Sequence, residues 1–268
     1  MNKILKLKPY ISDKIWGYEK WNLSTHKNGN SVVEETNKTL IETVKKELPI
    51  LIKIIKADDT LSVQVHPDNE YANKYENDNG KTECWYILDA TEDATLICGI
   101  RENLDKESFA KIIEENKIEE NLKKIKVKKG DMIYIPAGTV HAIEGGIKLL
   151  EVQQSSDVTY RLYDWGRERE THVKKSLDVI DYEGKNKAGK IENFKELVTP
   201  YFKVEKICIS GEFSDQVEED FHSITAISGN GKVFYQGTCM ELPIEETIYI
   251  PHGVKYVITG NVEIIRSY

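Results

Sequence analysis

The chain has 268 residues, with 37 Lys and Arg against 45 Asp and Glu, which gives a formal net charge of −8. This length can bury one large core or two smaller ones, and the apolar (40%) and charged (31%) fractions are typical of a soluble globular protein rather than a disordered one. The acidic balance argues against a general nucleic-acid binder, which would carry a basic face.

No targeting or membrane segment is recognised in the sequence. No apolar run approaches the roughly 18 residues of a membrane span, and the basic residues 1–10 are not followed by the apolar stretch of a signal peptide. We therefore expect a cytoplasmic protein. The four cysteines are scattered along the chain, so we expect free thiols rather than a disulfide framework.

Taken in chain order, the hydrophobic pattern predicts a mostly β protein with two helical stretches. One helix is predicted over residues 33–47 and a second over residues 105–124, where apolar side chains follow helical spacing. Short runs rich in Ile, Val and Tyr predict strands over 50–56, 60–66, 83–89, 94–99, 131–136, 139–143, 147–153 and 158–163. Because the second helix interrupts the run of strands, we interpret it as an insertion at the side of a β-barrel.

An internal repeat suggests two barrels of one kind. Residues 135–145 align with residues 250–260, with one Pro and two Gly matched, whereas His141 falls on Tyr256. Two copies of one strand–turn–strand unit therefore predict a second barrel that has lost the histidine.

The domain boundary is predicted at a Gly/Lys-rich segment, 181–190, which has the composition of a linker. We expect one domain over residues 1–185, which includes the helical insertion, and a smaller β domain over residues 190–268. In the second domain, His222 and His252 have no evident companions and are interpreted as surface or packing residues.

Polar residues alternate with apolar ones on two predicted strands. Because side chains alternate between the two faces of a strand, Ser62, Gln64 and His66 share one face. By the same rule, Lys81 and Glu83 share a face of a later strand. The alternative interpretations are a solvated edge strand for the first group and a surface ion pair for the second.

Residues 130–141 contain the pattern Gly-x5-Pro-x-Gly-x2-His. This pattern resembles the second sequence motif of the cupin superfamily, a small jelly-roll β-barrel. The Pro and Gly form the turn that returns the histidine-bearing strand across the mouth of the barrel. With the two polar strands, the pattern predicts a metal site whose four donors are Gln64, His66, Glu83 and His141. Nitrogen and oxygen donors of this kind suit Zn²⁺, and also Fe²⁺ or Mn²⁺.

The last polar block, residues 147–167, is predicted to form a hairpin of two strands. Glu151 and Arg161 would be charged residues on central strands, where a charge usually has a partner or a role. The alternative is a cross-strand ion pair near the rim of the barrel.

Together these blocks resemble the class I mannose-6-phosphate isomerases in their short bacterial form. The matching segments are Ser62-Val-Gln-Val-His66-Pro67, Lys81-Thr-Glu83, Pro136-Ala-Gly-Thr-Val-His141 and Leu150-Glu-Val-Gln-Gln154, which continues to Arg167. The strong part of the resemblance covers residues 58–170. One departure is Thr82, which stands where longer members of the family have proline.

The resemblance implies one Zn²⁺ per chain and the interconversion of mannose 6-phosphate and fructose 6-phosphate through a cis-enediol(ate). It implies that the metal ligands are Gln64, His66, Glu83 and His141. It also implies that Arg161 is the essential arginine and that Ser62 and Lys81 line the sugar-phosphate pocket. Lys81 and Glu151 both remain candidates for the base that moves the proton. The second domain would be a degenerate cupin without metal ligands.

Two other classes of protein remain open. Two histidines and a carboxylate also suit an Fe²⁺-dependent cupin dioxygenase, and a non-catalytic sugar-phosphate sensor would keep the same binding residues. The additional ligand Gln64 and the group formed by Arg161, Lys81 and Ser62 favour an anionic sugar. We therefore expect a sugar phosphate as the partner, with neither nucleic acid nor membrane, while the oligomeric state is not predicted.

Overall fold

The computed structural model describes residues 3–268, and these residues form a mostly β fold with four short helices. The strands are β1 (Leu5–Lys8), β2 (Tyr10–Lys14), β3 (Gly17–Leu23), β4 (Thr25–His26), β5 (Gly29–Asn30), β6 (Val32–Val33), β7 (Ile50–Ala57), β8 (Val63–Val65), β9 (Glu83–Ala90), β10 (Thr95–Ile100), β11 (Leu122–Lys126), β12 (Met132–Ile135), β13 (His141–Ile143), β14 (Ile147–Gln154), β15 (Tyr160–Tyr163), β16 (Gly189–Ile191), β17 (Glu196–Val198), β18 (Lys203–Gln216), β19 (Phe221–Tyr235), β20 (Thr238–Leu242), β21 (Thr247–Pro251) and β22 (Lys255–Ser267). The helices are α1 (Leu40–Val44), α2 (Asn69–Tyr75), α3 (Lys106–Glu114) and α4 (Val173–Val179), with a 3₁₀ turn at Glu119–Asn121. None of the helices in residues 3–268 has both the length and the apolar character needed to cross a membrane.

The chain divides into two compact units. The central unit contains Asp13–Glu19 and Ile55–Glu192, and the terminal unit contains the residues up to Ser12, Lys20–Ile54 and Asn193–Tyr268. The sequence placed Lys20–Ile54 in the first domain, 1–185, whereas this segment groups with the C-terminal residues in the terminal unit.

Two sheets of the central unit enclose an apolar core. One sheet has the strand order β11-β10-β13-β8-β15, and β16, β12, β9 and β14 are neighbours in the other. The core between them contains Trp85 and Ile133 from the second sheet and Leu96 and Ile143 from the first. Since β9 is buried on this face, Glu83 at the start of the strand is held against the same interior.

The outer face of the first sheet is covered by helices. Val63 and Val65 of β8 belong to a second core cluster, which also contains Phe109 of α3 and Leu177 of α4. The alternation predicted from Ser62 to His66 is therefore confirmed, with the valines facing the helices. Leu61, which lies before the strand begins, packs in the other cluster.

The terminal unit is built on one long antiparallel ladder. Its sheet has the order β17-β18-β22-β19-β21-β1-β6, and β20 pairs with β19. Strand β22 pairs with β18 over its whole length, from Lys255 to Ser267. Gly260 has a φ of +122°, and a Cβ there would lie 2.3 Å from the carbonyl oxygen of Asn230. Only glycine allows β19 and β22 to approach this closely.

Both predicted helices are shorter in the structure. Within the stretch 33–47, the helix α1 covers only Leu40–Val44. It begins with a capping box between Thr39 and Glu42, and it ends before Lys45, whose backbone is in the left-handed conformation. The stretch 105–124 contains α3, which Asp105 caps.

Chain direction changes soon after α3. Asn116 has a φ of 56°, a left-handed conformation that does not continue a helix. Leu122–Lys126 then forms β11 and pairs with β10. The predicted linker at 181–190 also contributes structure, because Gly189–Ile191 forms β16 and pairs with β12.

Candidate metal centre

Three titratable side chains converge in the interior of the central unit. His66 Nε2 lies 3.6 Å from Glu83 Oε2, and His141 Nε2 lies 3.3 Å from Glu83 Oε1. All three residues are at most 1% exposed, and one potential ligand atom from each lies within 4.8 Å of the others. A carboxylate in these surroundings is costly unless a cation neutralises it.

Strand pairing brings these residues together. Glu83 begins β9 and pairs with Ile135 at the end of β12. The turn after β12 then leads directly to His141, which begins β13 and pairs with Gln64 of β8. His66 is the residue directly after the end of β8. Residues from three segments that are distant in sequence therefore meet, because they lie on or next to paired strands.

Hydrogen bonds select the tautomer of both histidines. Nδ1 of His66 lies 2.9 Å from the carbonyl oxygen of Val158, and Nδ1 of His141 lies 2.8 Å from that of Thr139. Because a carbonyl oxygen only accepts, each Nδ1 carries a proton, and Nε2 is the ring nitrogen that remains to bind a metal.

Burial reinforces this state at His141. Desolvation lowers the pKa of this histidine to about 4, although the hydrogen bond to Thr139 acts in the opposite direction. At neutral pH the ring is therefore neutral, as a metal ligand has to be.

Gln64 completes the predicted set of ligands. Its Nε2 lies 3.2 Å from Nε2 of His141, and a half-turn of the amide brings Oε1 to the same place. Two imidazole nitrogens, a carboxylate and an amide oxygen form a donor set that suits Zn²⁺ and other borderline divalent ions. The residues present therefore fit a bound divalent metal.

Arg161 and Ser62 lie next to this cluster. Arg161 pairs with Gln64 across β15 and β8. Its Nε donates to Oγ of Ser62 at 3.3 Å, and its Nη1 donates to the carbonyl oxygen of Glu170 at 2.7 Å. Burial, followed by the nearby charge of Arg169, lowers the pKa of Arg161, but a guanidinium remains protonated in proteins. The structure therefore holds a fixed positive charge beside the candidate ligands.

Lys81 places a second positive charge near the cluster. The residue is buried, and among residues 3–268 its ammonium forms no hydrogen bond or ion pair. Burial is the main cause of the lowered pKa of His141, and the charge of Lys81 adds to it. The ammonium is thus close to the cluster and forms neither a hydrogen bond nor an ion pair within residues 3–268.

Glu151 also lies near the cluster, in a different role. Its Oε2 accepts a hydrogen bond of 2.9 Å from the indole Nε1 of Trp85, and the Trp85 ring stands edge-on to the His141 ring at 5.4 Å. Sequence reasoning did not single out Trp85, because an aromatic residue in an apolar strand gives no signal beyond core packing.

A hydrogen-bonded clamp that the sequence did not predict fixes the segment before Glu83. Gln154 Oε1 accepts from the Thr82 backbone N–H at 2.9 Å, and its Nε2 donates to Asn69 Oδ1 at 3.0 Å. The same Asn69 oxygen accepts from the Gly80 N–H. Thr82 Oγ1 accepts from the backbone N–H of Ala137, which ties this segment to the turn that precedes His141.

The fold and the buried cluster define a cupin-type β protein with a candidate metal site made of nitrogen and oxygen donors. A family profile for the catalytic domain of type I phosphomannose isomerase matches residues 18–103. Mannose-6-phosphate isomerase ManA of Bacillus subtilis (strain 168) is 36% identical, with 98% of each chain covered. The chain therefore belongs to the type I mannose-6-phosphate isomerase family.

Two further comparisons agree with this assignment. Mannose-6-phosphate isomerase of Streptococcus mutans (serotype c) is 36% identical and matches 93% of this chain and 88% of that protein. The crystal structure of the mannose 6-phosphate isomerase from Bacillus subtilis has a TM-score of 0.90 at 31% identity, with 99% of each chain covered. The mostly β, cupin-type fold that the sequence predicted is thereby confirmed.

Removing the amide of Gln154 should weaken metal binding. In Gln154→Met the side-chain volume is nearly kept, but the Thr82 N–H loses its acceptor and Glu83 is less firmly placed. We expect the dissociation constant for Co²⁺ to rise about 10-fold, the usual scale for partners that orient ligands, as measured by titration calorimetry. Asn121→Leu is the control, because its buried amide donates to the carbonyl oxygen of Lys117 away from the cluster. Equal Co²⁺ affinities in Gln154→Met and wild type would contradict the clamp.

The metal-free protein should lose stability as the pH falls from 6.5 toward 4. The pKa of His141 is about 4 in the folded state against an ordinary value of 6.5, so the unfolded chain binds more protons in this interval. The stability due to the neutral ring is therefore complete above pH 6.5 and is lost as the pH falls through the folded pKa. The free energy of unfolding should drop by about 3 kcal/mol over the interval, as measured by urea unfolding after chelation.

His141→Gln provides the comparison for this pH dependence, because its side chain does not titrate. The difference in unfolding free energy between wild type and His141→Gln should change with pH over the same interval. A difference that stays constant from pH 7 to pH 4 would show that His141 does not titrate as described.

Proposed function

We propose that this chain is a Zn²⁺-dependent aldose–ketose isomerase that interconverts mannose 6-phosphate and fructose 6-phosphate through a cis-enediol(ate). The observation that carries the proposal is the buried cluster of His66, Glu83 and His141 with Arg161 and Lys81 beside it, in a chain related over nearly its whole length to proteins named mannose-6-phosphate isomerase.

One Zn²⁺ per chain would be held by Gln64, His66, Glu83 and His141. When bound, it would supply Lewis acidity toward the oxygens of the substrate. The residues that hold it contribute geometry: both imidazoles are oriented by backbone carbonyls, so little reorganisation is needed when the ion binds.

Arg161 would stabilise the negative charge that develops on the sugar oxygens. Its guanidinium is already oriented by Ser62 and by the carbonyl of Glu170. A charge that is fixed before the reaction stabilises the transition state without the cost of reorientation. Ser62 would orient the guanidinium and line the pocket for the substrate.

The reaction requires one proton to leave C2 of the open-chain aldose and a proton to return to C1. Lys81 and Glu151 are the two candidates for the group that moves it. Trp85 already engages one oxygen of Glu151, whereas the Lys81 ammonium makes no hydrogen bond within residues 3–268. We therefore assign the proton transfer to Lys81, whose neutral amine would take the proton from C2 and return a proton to C1, and assign Glu151 to the orientation of Trp85, whose ring packs against His141.

The remaining assignments complete the proposal. The metal-binding cupin domain would extend to about residue 185, and residues 190–268 would form a degenerate cupin that holds no metal. We propose a cytoplasmic location, which suits the four cysteines that are unpaired in the structure. The net charge of −8 fits a small-molecule partner better than nucleic acid.

The purified protein should convert mannose 6-phosphate into fructose 6-phosphate in a coupled assay. Activity should disappear after chelation and return with Zn²⁺. Arg161→Ala should lower kcat by about 10²- to 10³-fold, since it removes a preorganised charge, while the exposed Arg101→Ala serves as the control with unchanged activity. No turnover in the zinc-loaded protein would contradict the isomerase, and oxygen uptake with Fe²⁺ would then favour the dioxygenase.

Lys81 and Glu151 can be separated by isotope exchange. With Lys81→Met, we expect kcat to fall by about 10²- to 10⁴-fold and deuterium from D₂O to stop entering C1 of fructose 6-phosphate, as measured by NMR. Glu151→Gln should keep most of kcat, because the amide still accepts from Trp85. A large rise in KM with normal kcat in Lys81→Met would assign Lys81 to phosphate binding, and loss of exchange in Glu151→Gln would make Glu151 the base.

A further inference from the structure

A second cluster of polar side chains surrounds the buried His222 and Tyr256 of the terminal unit. His222, for which no companions were predicted, is only 2% exposed. Its Nδ1 lies 3.0 Å from the Tyr256 hydroxyl, and its Nε2 lies 2.9 Å from Glu219 Oε2. The Tyr256 hydroxyl also donates to Asp215 Oδ2 at 3.4 Å, and that carboxylate forms an ion pair with Arg266.

Strand register shows that this cluster occupies the positions of the metal centre. In the sequence repeat, Ile250 corresponds to Ile135. Ile135 pairs with Glu83 in the central unit, and Ile250 pairs with His222 in the terminal unit. His222 therefore stands at the position of Glu83.

A second register pair gives another correspondence. Tyr256 stands at the position of His141 in the repeat. His141 pairs with Gln64, whereas Tyr256 pairs with Asp215. Asp215 therefore occupies the position of the amide ligand.

A third pair shows where the charges differ. Two residues beyond Glu83, Trp85 pairs with Glu151. Two residues beyond His222, Ile224 pairs with Arg266. A guanidinium thus replaces a carboxylate, and this side chain contacts Asp215 at the position of Gln64.

The terminal unit therefore carries its own cation among these side chains. Besides Asp215, Arg266 binds Glu205: Nε and Nη2 lie 2.8 Å and 2.6 Å from the same carboxylate oxygen. Lys203 lies 2.8 Å from the other oxygen of Glu205. Glu205 and Asp215 are partly buried, with side chains 16% and 30% exposed, and the opposite charge beside them comes from side chains of the same unit.

We propose that the guanidinium of Arg266 takes, in the terminal unit, the place that a divalent metal ion takes in the central unit. The terminal unit then holds no metal because its cation is part of the chain. The arrangement of a metal site is retained at Asp215, His222 and position 256. The guanidinium of Arg266 prevents a metal ion from binding there.

The proposal predicts that a metal site opens when Arg266 is removed and position 256 carries an imidazole. The test uses the full chain with His66→Ala and His141→Ala, which disable the first cluster. In this background, Tyr256→His combined with Arg266→Met should bind one Co²⁺ per chain, seen by metal analysis and by d–d absorption bands, and Co²⁺ should raise its unfolding temperature.

The matched control is Tyr256→His alone in the same background, where the retained guanidinium should prevent Co²⁺ binding. A folded double variant that binds no Co²⁺ would overturn the proposal, as would equal binding with Arg266 present. Because the first cluster is absent from every protein compared, the outcome does not depend on whether the chain is an isomerase.

A second measurement applies even if the double variant does not fold. If the cluster needs a cation, Arg266→Lys should retain more stability than Arg266→Gln, although its ammonium lacks the planar fork of arginine. We expect the unfolding temperature to fall by several degrees more in Arg266→Gln than in Arg266→Lys. Equal unfolding temperatures for the two variants, or a higher one for Arg266→Gln, would contradict a requirement for charge at this position.

Discussion

The carboxylate of Glu83, held out of water between two imidazoles, is the constraint on which the metal centre depends. Burying an ionised carboxylate costs several kcal/mol unless opposite charge and good geometry compensate it. Burial keeps the His141 ring unprotonated, so that ring supplies no positive charge to the carboxylate. The nearby charges of Lys81 and Arg161 compensate this carboxylate, and a cation bound by the cluster would add to them.

In the terminal unit, a side chain supplies the positive charge that lies beside the carboxylates. Its partly buried carboxylates at Asp215 and Glu205 form ion pairs with Arg266, which lies at the position of Glu151 in the central unit. We infer that one β framework can hold either a metal ion or a guanidinium, because the terminal unit has other residues at the positions of Gln64, Glu83, His141 and Glu151. This is consistent with fold and function being separable, since chemistry resides in the side chains placed on a framework.

The sequence predicted the features that depend on local patterns. Ser62, Gln64 and His66 alternate on one strand, and the turn before His141 has a fixed spacing of Pro and Gly, so their common orientation could be read from neighbours in the chain. The clamp formed by Asn69 and Gln154 could not, because amide side chains give no periodic signal and their partners lie far away in sequence. The helix predicted over 105–124 is shorter in the structure for a related reason. Its second part forms β11, which pairs with β10, and this pairing outweighs the local helical spacing.

The order of the units along the chain has a consequence for how the protein is made. The central unit is interrupted only by Lys20–Ile54 and is complete once Glu192 has left the ribosome, whereas strand β1 of the terminal unit waits for β21, where Leu5 pairs with Tyr249. Contacts between such distant segments form slowly, since a long loop has to close first. During synthesis the central unit is thus able to fold while the sheet that contains β1 still lacks β21.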